Sequence, residues 1–310
     1  MDWLALVVLS VTSDSLNLFF DNYISDYYFK GRGAFSQNYF YAFTYLLVAV
    51  IMALASNFDF TTVAPLTVVL LLLSGVISAI DTLPYYKALE LDDSTNLGIF
   101  IQLAPVLYLI FGWMFLGETM SISQLVSFFI IVSAPFLIIN SARKRSRGIR
   151  LKAALYAFLY VLMSVASSLI FAQQLGAGAD FPTFLALTSI VLLGRSVGTL
   201  AIFVFQPKRR KRFFQVVKSS KNKVFYPMAF NSILDVTSTV AYRAALIAAP
   251  SVALASAACD ASQPIVIFFM GIILTLIWPK FGREKLDRKT VRVHVIATIL
   301  VVIGIALLQS

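Results

Sequence analysis

Val63–Ile80 reads VAPLTVVLLLLSGVISAI, eighteen residues without a single charge. A helix needs about 20 apolar residues to cross a ~30 Å hydrocarbon layer. The same kind of run recurs to either side, in Tyr39–Ser56, Asn96–Gly117, Ile122–Asn140, Leu151–Gln174, Phe225–Leu234, Ser251–Cys259 and Val293–Leu308. The polar breaks between the runs are too short to hold a soluble domain. About ten such segments fit into the 310 residues, which predicts an all-α integral membrane protein.

Composition points the same way. Hydrophobic residues make up 59% of the chain and charged ones 13%, with a mean hydropathy of +0.85. Soluble domains carry roughly 25% charged residues. The strands of a membrane β-barrel alternate apolar and polar residues, whereas these blocks are solid, and backbone shielded from water must bond within its own helix. The first segment lacks a basic start, and Asp14 and Asn17 interrupt it, so it reads as a retained helix and not a signal peptide. The single cysteine, Cys259, excludes an internal disulfide and a thiolate metal cage.

The formal charge is +10, and its placement argues against nucleic acid as a partner. Basic residues cluster in Arg143–Lys152, in Lys208–Arg212 with Lys218, Lys221 and Lys223, and in Lys280–Arg292. If ten helices are counted, these stretches follow helices five, seven and nine, and Lys30 with Arg32 follow helix one. The breaks after helices two, four, six and eight contain no Lys or Arg. By the positive-inside rule the basic loops are cytoplasmic, against anionic lipid headgroups, and both termini are outside.

The chain also matches itself. Asp81, Tyr86-Lys87-Ala88-Leu89, Ala104-Pro105 and Gly117-Glu118 appear in that order in the first half. Asp235, Tyr242-Arg243-Ala244-Ala245-Leu246, Gln263-Pro264 and Gly282-Arg283-Glu284 follow in the second. The expected organisation is a first five-helix repeat over 1–142, a basic connection over 143–152 and a second repeat over 153–310. Five is odd, so the second repeat enters the membrane from the opposite side, which makes the two repeats inverted.

These residues resemble the drug/metabolite transporter superfamily, in particular its EamA-like branch. The resemblance rests on the Tyr-x-Ala-Leu turn, the prolines within helices four and nine, and the Gly-Glu that closes helix four. It covers the whole chain and is best over Tyr85–Leu137. It implies a carrier of amino acids, related metabolites or other small solutes. It also implies termini in the cytoplasm, opposite to the charge count.

Ionisable groups at bilayer depth cost at least ~2.5–3.5 kcal/mol each, so they need partners or a hydrated cavity. Asp14, Asp81, Asp235 and Asp260 fall inside predicted helices, with Arg195 as the deep cation. They are expected to converge on one cavity and to handle protons or a cationic substrate, with Gln102 and Gln263 as hydrogen-bonding groups. Lys87 and Arg243 lie near helix ends after Tyr86 and Tyr242, where they either snorkel to headgroups or serve as gates or counter-charges. Pro105 and Pro264 are expected to kink their helices and free a carbonyl. Glu118 caps or pairs at a helix end. Gly194-x-x-x-Gly198 is a close-packing motif.

No phosphate-binding loop, dinucleotide fingerprint or nucleophile elbow is present, and His294 is the single histidine. Neither an enzyme, a cofactor nor a metal is expected. The expectation is a secondary transporter, an exporter or exchanger of a small metabolite such as an amino acid, working by alternating access as monomer or homodimer in the plasma (inner) membrane. A carrier of a phosphorylated or lipid-linked sugar is the alternative, and a non-transporting sensor or scaffold is a third.

Overall fold

The structure, a computed structural model, describes residues 2–29, 38–57, 60, 63–91, 100, 102–143, 150–176, 180–277 and 288–309. No strand occurs among the described residues. The first half holds α1 (Trp3–Tyr27), α2 (Asn38–Ala55), α3 (Pro65–Ile80), α4 (Thr82–Leu91), α5 (Ala104–Phe111) with a π-helical turn over Gly112–Leu116, and α6 (Ile122–Arg143). The second holds α7 (Leu151–Leu175), α8 (Phe181–Phe205), α9 (Pro207–Ser219), α10 (Phe225–Ala248), α11 (Val252–Ile277) and α12 (Arg288–Gln309).

Six segments among the described residues are long and apolar enough to cross a membrane: α1, α2, α3 with α4, α7, α8 and α11. The π turn with α5, and α6 and α12, carry shorter apolar stretches. Side chains such as Ile122 (82% exposed) and Leu276 (76%) point outward, as a lipid-facing surface requires. Inside, α11 is small-sided: Ala253, Ala255, Ala257 and Ala261 are buried against Tyr108, Phe128 and Val165.

Three departures from the sequence reading have local causes. Pro84 has no N–H for the Ile80 carbonyl, and the expected third helix breaks at Asp81 into α3 and α4. Pro105 does not kink a helix; it stands in the first turn of α5, after turn residues Gln102 and Leu103, where a missing N–H costs nothing. The basic stretch from Lys208 is not a loop. Pro207 opens it as helix α9, whose 13 residues include six basic ones. Its apolar side, Phe213 with Val216 and Val217, packs on Ile24, Phe29 and Met228, and Lys208, Lys211 and Lys218 stay exposed. Lys30, Arg32, Lys144, Arg145, Arg147, Trp278, Lys280, Arg283, Glu284 and Lys285 lie outside the described residues.

Helix seams fix the interior. α3 and α8 meet backbone to backbone: a Cβ on Gly75 would sit 2.6 Å from the Arg195 nitrogen, and one on Gly198 would sit 2.8 Å from the Ala79 Cβ. Gly194 faces the Leu72 backbone in the same seam. Ser74 and Ser167 exchange hydroxyl-to-carbonyl bonds of 2.8 and 2.9 Å between α3 and α7. α1 and α10 run antiparallel, since Ser10 donates to the Ser238 carbonyl (3.2 Å) and Asn17 to the Asn231 carbonyl (3.0 Å). Glycine therefore supplies close approach in one seam and small polar side chains supply hydrogen bonds in the others.

Candidate functional site

α1 presents Ser10, Asp14, Asn17 and Asp21 at i, i+4, i+7 and i+11, which is one face of a helix. α10 presents Asn231, Asp235, Ser238 and Tyr242 at the same spacing. These faces meet on a cavity of about 580 Å³ that α2, the α3–α4 break, α5, α7, α8 and α11 complete. Five aspartates line it (Asp14, Asp21, Asp81, Asp235, Asp260), with two arginines (Arg195, Arg243) and seven tyrosines. With every group ionised, carboxylates exceed guanidinium groups by three.

The best-paired acid is Asp235. Arg195 lies 3.8 Å from it, and Tyr45 donates its hydroxyl to the same carboxylate. Arg195 also donates to Thr239 Oγ1 at 2.8 Å and stands over the Tyr45 ring at 4.5 Å. This is the only ion pair within 4 Å among the described residues. Asp21 instead accepts from Tyr41 (2.8 Å) and Asn231 (2.5 Å). Asp14 accepts from the neutral Gln263 amide, and Asp260 from Ser256 Oγ at 2.9 Å. Asp81 sits at the helix break and is buried.

Of the residues singled out in the sequence, the cavity gathers Asp14, Asp81, Asp235, Asp260, Arg195, Gln263, Arg243, Tyr86 and Tyr242. Gln102, Lys87, Pro105 and Pro264 do not line it. Gln102 instead repairs the backbone of α11. Pro264 deprives the Asp260 carbonyl of its donor four residues on, and Gln102 Nε2 approaches that oxygen at 3.4 Å. Lys87 is exposed, its ammonium 5.4 Å from the Tyr156 ring centroid. Arg243 corrects the helix-end expectation, because its side chain is 3% exposed and faces the cavity. Glu118, off the cavity, accepts the Val252 N–H at 3.0 Å where α11 begins. Burial raises its pKa above the ordinary 4.5, and the Val252 bond opposes that shift.

Asp21, Asn17, Tyr41 and Tyr45 line the cavity without being expected there, and Asn231 lies behind them, donating to Tyr41 and Asp21. The spacing of Asp21 from Asp14, seven residues or two turns, is the signal that could have found it. Among the described residues no cluster of three His, Cys, Asp or Glu side chains is arranged to hold a metal ion.

Solved structures share this fold. A crystal structure matches over 98% of this chain and 96% of its own, with a TM-score of 0.61 and 14% identity, a likeness of fold alone. No curated protein matches the chain in sequence. Residues 3–140, which hold the Tyr86 turn, Pro105 and Gly117-Glu118, match the EamA-like transporter family, a likeness that spans the first half of the chain.

Proposed function

We propose that this chain is a secondary transporter, an exporter or exchanger, of a small metabolite bearing an amino group, such as an amino acid. Two inverted five-helix repeats, 1–142 and 153–310, would move against each other around the cavity, with 143–152 as their connection. The observation that carries this reading is the cavity itself: acids from both halves converge on about 580 Å³ within the helix bundle. That volume suits a small solute. The excess of carboxylates favours a cationic end of the cargo, or protons, over a phosphate. A sugar-phosphate carrier would want both Lys87 and Arg243 in the cavity; Arg243 lines it, but Lys87 is exposed elsewhere. The basic helix α9 rests on anionic headgroups at the cytoplasmic face of the plasma membrane.

Flux in proteoliposomes, with and without a pH gradient, tests the reading. Asp14 is the sharpest probe because its partner, Gln263, is neutral. Asp14→Asn is expected to abolish gradient-driven uptake while leaving solute exchange intact. Normal gradient-driven transport by the Asn variants of Asp14, Asp81, Asp235 and Asp260 alike removes the proton and cation role.

A further inference from the structure

Arg195 and Arg243 line the same cavity in opposite states. Arg195 has partners in Asp235, Thr239 and the Tyr45 ring. Arg243 is 3% exposed, yet among the described residues its Nε and Nη1 have no hydrogen-bond partner. Its Nη2 reaches Ser167 Oγ only at 3.5 Å. No carboxylate lies within 4 Å of it among the described residues. A guanidinium offers five N–H groups in a rigid plane, with two edges that each match a carboxylate. Each edge of Arg243, Nε–Nη2 and Nη1–Nη2, has an unmade donor. Its plane is held over the Phe171 ring, 4.7 Å from the centroid. Burying an unpaired charge is costly, so such a group is kept for something that arrives.

We propose that Arg243 receives the carboxylate of the transported solute and is the residue that makes the carrier select acids over their uncharged derivatives. The proposal rests on the transport reading above and narrows it: the cargo carries a free carboxylate at Arg243 as well as an amino group at the aspartates. Ser167, which already touches Nη2, shares that end of the cavity.

The test compares L-phenylalanine, L-leucine and L-threonine with their methyl esters, which keep the amine and lose the negative charge. Thermal stabilisation of purified protein and counterflow in proteoliposomes are both measured. The wild type is expected to prefer at least one acid to its ester. Arg243→Gln is expected to weaken that acid about ten- to a hundredfold and to leave the ester within about twofold. Arg243→Lys, which keeps the charge but not the planar fork, is expected to recover only part of the loss. Without solute, Arg243→Gln is expected to melt no lower than wild type, since it removes an unpaired buried charge; a structural arginine would leave a clear loss. Acid and ester falling together, acid transport untouched by Arg243→Gln, or a wild type indifferent to the methyl group each overturns the role of Arg243 while transport stands. A wild type that neither binds nor moves any of the six solutes defeats the amino-solute reading itself, and this proposal with it.

Discussion

The seam between α3 and α8 and the seam between α2 and α10 are counterparts if the chain is a pair of inverted repeats, yet they are built from opposite chemistry. Counting back eleven residues from Tyr86 gives Gly75, and the same count from Tyr242 gives Asn231. Counting back seven gives Ala79 in one and Asp235 in the other. In α3 the small residues let the backbone press on α8. In α10 the larger polar residues hold α2 at side-chain length, through Asn231–Tyr41 (2.6 Å), Ser232–Thr44 (2.8 Å) and Tyr45–Asp235. Backbone contact leaves no room to slide, whereas hydrogen-bonded side chains can exchange partners. On the inverted-repeat reading the glycine seam would be the fixed wall of the cavity and the polar seam its adjustable one, and the two repeats would be unequal in use even where their motifs match.

The largest effect is expected at the fixed wall. A Val at Gly75 or Gly194 would drive Cβ into backbone atoms of the facing helix, which have no rotamer to escape by. Gly75→Val is expected to cost about 3 kcal/mol or more, with loss of monodisperse protein in detergent. At Gly304 an added Cβ meets Ile131 Cγ1 at 2.5 Å and the Ser127 carbonyl at 3.2 Å, one backbone contact where Gly75 has three, so Gly304→Ala should be milder than Gly75→Val. Wild-type melting of Gly75→Val would break the comparison at its root.

The polar wall should respond less in stability and more in transport. Asn231 is fully buried and donates to Tyr41 and Asp21 while accepting from Asn17. Asn231→Leu keeps the approximate volume but strands those partners, at a cost of about 2 kcal/mol. If the seam is the moving one, transport should fall further than the melting temperature alone explains. Equal loss in a stability-matched variant elsewhere in the bundle would reduce Asn231 to packing.

Much of this is legible in the sequence, for physical reasons that differ by residue. The helices follow from solid apolar runs of that length, which lack the alternation of barrel strands and so must pair their backbone within each helix. The convergence of Asp14, Asp81, Asp235 and Asp260 follows from cost, because a carboxyl at bilayer depth has few places to go. Arg243 is misplaced by the same reasoning, because a position counted from a helix end does not reveal which face it occupies. Lys87, its match by motif, is exposed, since the break at Asp81 turns α4 independently of α3. Helix α9 escapes a reading by charge, which masks its amphipathic spacing. The orphaned donors of Arg243 depend on what packs around it, which one sequence does not state.

The smallest effect is expected at the start of α8, whose later residues line the glycine seam. Asp180 is its N-cap and accepts the Thr183 N–H at 3.0 Å. Bonds to Thr183 hold its carboxyl below the ordinary aspartate pKa of 3.8. The folded pKa is therefore lower than the unfolded one. The cap's contribution is present above the unfolded value and is lost as pH falls through the folded one. Asp180→Ala should remove that acid-side dependence and speed hydrogen exchange at Thr183, while Gly194 and Arg195, more than ten residues along, keep their protection. The residue is fully exposed, so the global melting temperature should barely move. If exchange at Gly194 rises as well, the opening of the first turn travels down α8, and the glycine seam depends on its cap instead of standing on backbone contact alone.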